Sequence, residues 1–338
     1  MSSPTIAEHL NWHVKQWLHR RLARRVLTTP PIPHGDDGVI LFSMIGTAVL
    51  LPYLVAVKSL RQQLGRGRVV ILDDGTLTAG DHAVLAHHLN DPRIVAIGDV
   101  DTGPCPRGGT WERLLTILDL RTDAYVIQVD SDTVTLGDLT EVRAAIDAGR
   151  DFTLRGEASA ESRAADAIAR DRAGVDPRRP GLHVQDAAEA AIGSVAIPGH
   201  PVLRYVRGCS GFAGFAPGGP GRALAEGFSQ AMDDAIGRAS WSRWGSEQVT
   251  SNFVVANGRD PLLLPYARYL NFWNAALFGR AHFPTDPAFV HFIGTYRFHG
   301  DAYLSATRTA IERLGQDLRS IAHASSTALR ANSHSDPA

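Results

Sequence analysis

The chain has 338 residues, 44% hydrophobic and 20% charged, with a formal net charge of −1 and a pI near 6.9. That length holds one large domain or two, in a composition typical of soluble globular proteins, and the near-neutral charge gives no reason to invoke nucleic acid as a partner. Cys105 and Cys209, the only cysteines, make neither a disulfide framework nor a cysteine zinc site, so a reducing cytoplasm is the default compartment.

Residues 1–37 read as a basic, amphipathic helical segment. Leu10, Trp12, Val14, Trp17, Leu18, Leu22, Val26 and Leu27 alternate with His13, Lys15, His19, Arg20, Arg21, Arg24 and Arg25. Apolar and aromatic residues on one side with arginine on the other suit peripheral contact with a membrane surface through residues 10–27. The other reading is a helix that packs its apolar stripe on the domain. Val39 to Val57 carries no charge and has about the length of a membrane span. Ser43, Gly46, Thr47 and Pro52 break it into a strand, a turn and a helix, Pro52–Leu64, whose exposed side would carry Lys58, Arg61 and Gln62. No signal-peptide pattern precedes it.

A second strand, Arg68–Leu72, runs into Asp73-Asp74-Gly75. Thr78 and Asp81 have capping-box spacing and start a helix through Leu89. Arg93–Ile97 is a third strand and Trp111–Leu120 a helix. The fourth strand, rich in β-branched residues, ends at Asp130-Ser131-Asp132, since these residues disfavour continuation. Strands alternating with helices imply a parallel, doubly wound α/β sheet whose ligands bind at the carboxyl ends of the strands. Two carboxylates there would hold one hard divalent cation and, through it, a phosphate; the bland alternative is a polar turn.

Further along, Leu139–Ala148 is a short helix, Asp151–Leu154 a strand, and 156–192 a helical insertion with a loop around Pro177–Pro180. Gly208–Ala216 is a glycine-rich strand that permits close approach of a ligand or another backbone. Helices follow at Gly221–Arg238, at Trp244–Val254 with Ser246 as N-cap, and at Asp301–Ala322. A buried strand lies at Pro261–Tyr266. The tail, 323–338, reads as disordered.

Four segments, in order, resemble the GT-A-fold glycosyltransferases, nearest to the glycogenin and galactosyltransferase-like group that uses nucleotide sugars. They are Phe42-Ser-Met-Ile-Gly46, Asp130-Ser-Asp132, Glu247-Gln248, and His291-x-x-Gly294-x-x-Arg297, where the group usually has lysine last. The resemblance spans residues 38–300. It implies a GT-A (Rossmann-like) domain over 38–322, with a mostly parallel central sheet flanked by helices. Residues 38–135 would be the nucleotide-binding half and 136–322 the acceptor half.

The implied activity is metal-dependent transfer of a hexose from a nucleotide-diphosphate sugar, most readily a UDP-sugar, to an unknown acceptor hydroxyl. Asp130, Asp132 and His291 would bind Mn²⁺ or Mg²⁺, imidazole favouring Mn²⁺, with His299 a competing ligand. Arg297 would clamp the diphosphate. Ser43, Asp73, Asp74, Arg113 and Ser131 would meet the nucleotide sugar, although Asp73-Asp74 also reads as an ordinary turn and Arg113, like Trp111, as a plain helix residue. Glu247 and Gln248 would face the anomeric carbon. Glu247 acting as base would give inversion; the His-x-x-Gly-x-x-Arg pattern leans towards retention.

Val126–Val134 also fits the haloacid-dehalogenase phosphohydrolases, with Asp130 as nucleophile. That family needs a downstream lysine, occasionally arginine, and a strand-end acidic pair. Lys15 and Lys58 lie upstream, and Asp233-Asp234 falls in a helical stretch. A non-catalytic relative that binds a sugar or a partner is the third reading.

Overall fold

The computed structural model describes residues 6–272, 283 and 285–316. Helix α1 (Ile6–Ala23) precedes strands β1 (Val39–Ile45), β2 (Arg68–Asp73), β3 (Arg93–Ala96) and β4 (Tyr125–Val129), which α2 (Leu50–Leu64), α3 (Ala79–Leu89) and α4 (Trp111–Leu120) connect. These strands pair in parallel, in spatial order β4-β1-β2-β3. The Thr78–Asp81 capping box closes in both directions. The two faces of each strand serve different cores, as two-residue periodicity requires. Leu41, Ile71 and Ile127 pack with α2, and Phe42, Val70 and Val126 with α4.

The second half contains β5 (Thr133–Thr135), α5 (Thr140–Asp147), β6 (Phe152–Arg155), β7 (Arg163–Ala164), α6 (Ala165–Asp171), α7 (Val184–Ala191), β8 (Arg204–Tyr205) and β9 (Gly208–Phe215). Then come α8 (Arg222–Ile236), α9 (Arg238–Trp241), α10 (Ser246–Ala256), β10 (Leu262–Leu263), β11 (Tyr269–Asn271), β12 (Phe289–His291) and a helix, α11, over residues 302–316. The main sheet has seven strands in the order β10-β6-β9-β4-β1-β2-β3. It is mostly parallel, but β9 runs antiparallel to both β4 and β6, so the sheet departs from a purely parallel winding. A smaller sheet, β11-β12-β5, stands beside the carboxyl end of β4.

Several local expectations are corrected. Lys58 and Arg61 are buried, because the chain after α1 covers that side of α2. The Lys58 ammonium donates to Thr29 Oγ1 at 2.6 Å and lies 3.2 Å from His88 Nδ1. Burial lowers Lys58 to about 8 and His88 to about 4. Ser246 does not cap α10: Gly245 occupies that position at φ 101°, and the serine hydroxyl accepts from Trp111 Nε1 at 2.9 Å. The strand expected at Pro261–Tyr266 is a two-residue, half-buried edge strand, β10. The expected tail, 323–338, and the end of the last helix, 317–322, lie outside the described residues.

Candidate active site

Strand β4 lies at the centre of the main sheet and delivers Asp130, Ser131 and Asp132 at its carboxyl end. The backbone N–H of Asp130 donates to the Gly211 carbonyl at 2.9 Å, and β5 then leaves to pair antiparallel with β12. This pairing sets His291 opposite Thr133, and Phe292 N donates to the Asp132 carbonyl at 2.8 Å. His291 Nε2 comes to 3.3 Å from Asp132 Oδ1 and 4.0 Å from Asp130 Oδ2. One ligand atom from each of Asp130, Asp132 and His291 lies within 4.8 Å of the others.

The imidazole is held from behind. The β11–β12 register places Asn271 beside His291, with Asn271 Oδ1 3.1 Å from His291 Nδ1. Asn271 Nδ2 donates to the Arg155 carbonyl, which fixes the amide oxygen towards the ring. A carboxamide oxygen accepts a hydrogen bond from Nδ1–H, which leaves Nε2 as the ring nitrogen that faces the carboxylates. Cys209 Sγ is 3.3 Å from the same Nδ1. Gly211 packs under the ring, where an added Cβ would meet His291 Cε1 at 2.4 Å. Gly211→Ala is therefore expected to push the ring off its position and lower divalent-metal affinity roughly tenfold to a hundredfold, the range seen when the support of a metal-binding histidine is lost. Isothermal titration with Mn²⁺ measures this, and an unchanged affinity would show that the ring does not need this seat.

Charge around the turn is balanced by two arginines. Arg297 Nη2 pairs with Asp132 Oδ2 at 2.7 Å. Burial opposes ionisation of Asp132, but His291 and Arg297 outweigh it and hold the carboxyl below its usual range. Burial likewise opposes the imidazolium of His291, yet Cys209 and Asp132 raise it well above the ordinary value. Arg113, from α4, bridges two carboxylates. Its Nη1 lies 2.6 Å from Asp130 Oδ1, and its Nη2 3.0 Å from Glu247 Oε2. Thr110 Oγ1 donates to that same Oε2 at 2.9 Å. Glu247 Oε1 is buried with no hydrogen-bond partner among the described residues. Burial raises the Glu247 carboxyl despite Arg113.

Arg113, Asp130, Asp132, Glu247, Gln248, His291 and Arg297 all line one cavity of about 530 Å³. Ser131 is half-buried on the turn. The remaining candidates lie elsewhere. Ser43 is buried, and its hydroxyl donates to the Val129 carbonyl at 2.6 Å, beneath the site. Asp73 and Asp74 fold back on their own turn, accepting from Gly75 N at 2.8 Å and Thr76 N at 3.0 Å. Trp111 is buried against Trp241, and His299 packs near Tyr296. Neither these five nor Ser131 lines the cavity. The acidic pair the phosphohydrolase reading requires is absent from the site too: Asp233 is on α8 and pairs with Arg238.

Asn271, Thr110, Ser210 and Trp244 belong to the site without a motif in the sequence to announce them. Asn271 alone left a trace, as a polar residue ending an apolar strand beside the aromatic stretch.

No protein-family model and no curated protein matches the chain. Among solved structures, the chain is similar to the bifunctional glycosyltransferase WbbM at 15% identity and TM-score 0.46, covering 84% of this chain and 53% of that one. It thus spans about half of the bifunctional enzyme. It is similar to the galactosyltransferase LgtC, solved in complex with donor and acceptor sugar analogs, at 12% identity and TM-score 0.47, covering 80% of this chain and 95% of that one. Mouse xyloside xylosyltransferase 1 matches at 12% identity and TM-score 0.37, over 76% of this chain and 98% of that one.

Proposed function

We propose that this chain is a metal-dependent GT-A glycosyltransferase that moves a hexose from a nucleotide-diphosphate sugar, a UDP-sugar first, to an acceptor hydroxyl. One observation carries the reading: Asp130, Asp132 and His291 converge at the carboxyl end of the central strand, in a cavity shared with Arg297, Glu247 and Gln248. Two carboxylates and an imidazole whose far nitrogen is already engaged form a donor set that fits a divalent cation, Mn²⁺ better than Mg²⁺. When bound, such an ion supplies Lewis-acid neutralisation of the departing diphosphate.

The protein groups divide the remaining work. Arg297 supplies charge-assisted hydrogen bonds to the diphosphate. Arg113 holds Asp130 and Glu247 in one orientation through its two ion pairs. Glu247 Oε1 and Gln248 face the sugar. With Oε2 committed to Arg113 and Thr110, Glu247 offers Oε1 to positive charge at the anomeric centre, and we assign retention of configuration on the His291-x-x-Gly294-x-x-Arg297 pattern. Ser131, with Asp73 and Asp74 at the β2 edge, is assigned to the nucleoside; Ser43 serves indirectly by holding the Val129 carbonyl.

A screen of UDP-, GDP- and ADP-hexoses with Mn²⁺, reading nucleoside-diphosphate release, tests the proposal. Absence of release from every donor, or release unaffected by chelation, overturns it. The anomeric configuration of the product, read by NMR, checks retention.

We also assign α1 to an anionic membrane surface on the cytoplasmic side. No helix among the described residues is long and apolar enough to cross a membrane. One side of α1 packs on the domain through Trp12 against Phe298 and His19 against Tyr303. The other exposes Leu10 (65%), Val14, Trp17 (57%) and Leu18, flanked by exposed Arg20, Arg21, Arg24 and Arg25. Arginine near an anionic surface adds about 1 kcal/mol per residue, so removing Arg20 and Arg21 together should weaken binding roughly thirtyfold. Co-sedimentation with phosphatidylglycerol vesicles measures it. Equal binding to phosphatidylcholine vesicles would dismiss the electrostatic part of the assignment.

A further inference from the structure

The cavity that holds the carboxylates has a second wall, which the chemistry above does not use. The loop before α10 carries Trp244 there, 73% exposed, the most exposed large hydrophobic side chain among the described residues. Its backbone is tightly held. Gly245 packs against Val184, where an added Cβ would come within 3.2 Å, and Arg243 Nη1 donates to the Leu182 carbonyl at 2.7 Å. An aromatic face kept in water at a cavity rim, between two anchored neighbours, is a preorganised contact surface.

The groups around it are polar. Glu157, Gln185 and Arg207 line the same wall. Arg207 is already neutralised by Asp186 at 2.7 Å and Glu189 at 3.2 Å. This wall therefore has no spare positive charge for a phosphate, and its polar lining does not suit an alkyl chain. An aromatic plane in a cavity that also offers a carboxylate, an amide and a guanidinium matches a pyranose, whose C–H face is apolar and whose hydroxyl edge donates and accepts hydrogen bonds. The wall stands over β9 and β6, where α10 packs, on the far side of β4 from β1, β2 and β3. Trp244 and Glu247 line the same cavity, so a ring seated on the indole shares that cavity with the carboxylate proposed to face the reacting carbon.

We propose that Trp244 is the platform of an acceptor subsite that takes a pyranose ring, so that the accepting hydroxyl belongs to a carbohydrate. This rests on the transfer reading above. The test uses the full chain with Mn²⁺ and its preferred UDP-hexose, with methyl β-D-glucoside, methyl β-D-galactoside and methyl α-D-mannoside as acceptors. UDP release without acceptor reads hydrolysis, and disaccharide formation reads transfer.

At least one glycoside is expected to be glycosylated. Trp244→Ala should raise the KM for that glycoside and lower the transfer-to-hydrolysis ratio about tenfold or more, the loss expected when an aromatic anchor is truncated. Trp244→Phe should recover most of it, because the flat face is kept. An unmoved ratio in Trp244→Ala overturns the subsite. So does transfer to no glycoside by a wild-type protein that hydrolyses its donor, or a matching loss of UDP affinity in Trp244→Ala, which would make the indole a nucleobase platform. A wild-type protein that releases UDP from no donor fails earlier, at the transfer reading, and takes the subsite with it.

Discussion

Asp132→Ala is expected to lower metal-dependent release of nucleoside diphosphate by about a thousandfold or more, since a Lewis acid at a departing diphosphate contributes several kcal/mol. Asp132 is the more enclosed of the two carboxylates on the turn. It is buried, 3.3 Å from His291 Nε2 and 2.7 Å from Arg297. Its loss removes one of the three proposed ligands and leaves the arginine and imidazole facing each other without an anion between them. Arg297 keeps access to solvent and can turn outward, so the fold should survive. Mn²⁺ titration should show the affinity loss directly, independently of turnover. Turnover and Mn²⁺ affinity both at wild-type levels would dismiss the metal assignment. Loss of turnover with full metal affinity would move Asp132 from ligand to substrate contact.

Arg113→Met is expected to destabilise the protein by about 3–5 kcal/mol at neutral pH, the usual cost of stripping one partner from a buried ion pair. The guanidinium is buried and bridges Asp130 and Glu247, and Glu247 is itself buried with one oxygen already lacking a partner. Without Arg113, two carboxylates face each other across the space it filled. The penalty should depend on pH, and its sign follows from Glu247. Burial already raises that carboxyl above its ordinary value even with Arg113 present. In the variant it rises further, so the folded state binds a proton that the unfolded state has released. The deficit is then larger at pH 7 than at pH 5, shrinking as pH falls from the raised folded value towards the unfolded one. Urea unfolding at pH 7 and pH 5 measures both parts. The pair Arg113→Met with Glu247→Gln should recover much of the loss, because the unpaired charge is gone. Equal destabilisation at both pH values, with no recovery in the pair, would show that Arg113 acts through packing alone.

The carboxylate turn was legible because its signal is local. A run of β-branched residues ending in Asp-Ser-Asp places both carboxylates at a strand end, and β4 stops at Val129. The Thr78–Asp81 cap and α4 are local in the same way. Lys58 and Arg61 escaped the reading because a helical pattern shows which residues are polar, while their burial depends on a distant segment crossing above. The direction of β9 escaped it as well. Its glycines announced close approach, but the approaching groups, the His291 ring at Gly211 and Asn252 at Gly208, come from elsewhere in the chain. Ser43, Asp73 and Asp74 sit at strand ends as expected, but their hydrogen bonds to the Val129 carbonyl, Gly75 N and Thr76 N were not readable from the sequence.

By itself, the amino-acid sequence determined the alternating strands and helices of the first half, the position of Asp130 and Asp132 at a strand terminus, and the distant motif containing His291 and Arg297. These follow from propensity and spacing along the backbone, which act over a few residues. Only the tertiary structure decided that β12 pairs with β5 and brings His291 to Asp132, that Asn271 turns the imidazole towards the carboxylates, that Arg113 ties Asp130 to Glu247, and that Trp244 stands on the cavity rim. Each of these is a contact between residues far apart in the chain. Such contacts are set by how the buried faces of the sheet and helices pack together, which no local pattern records.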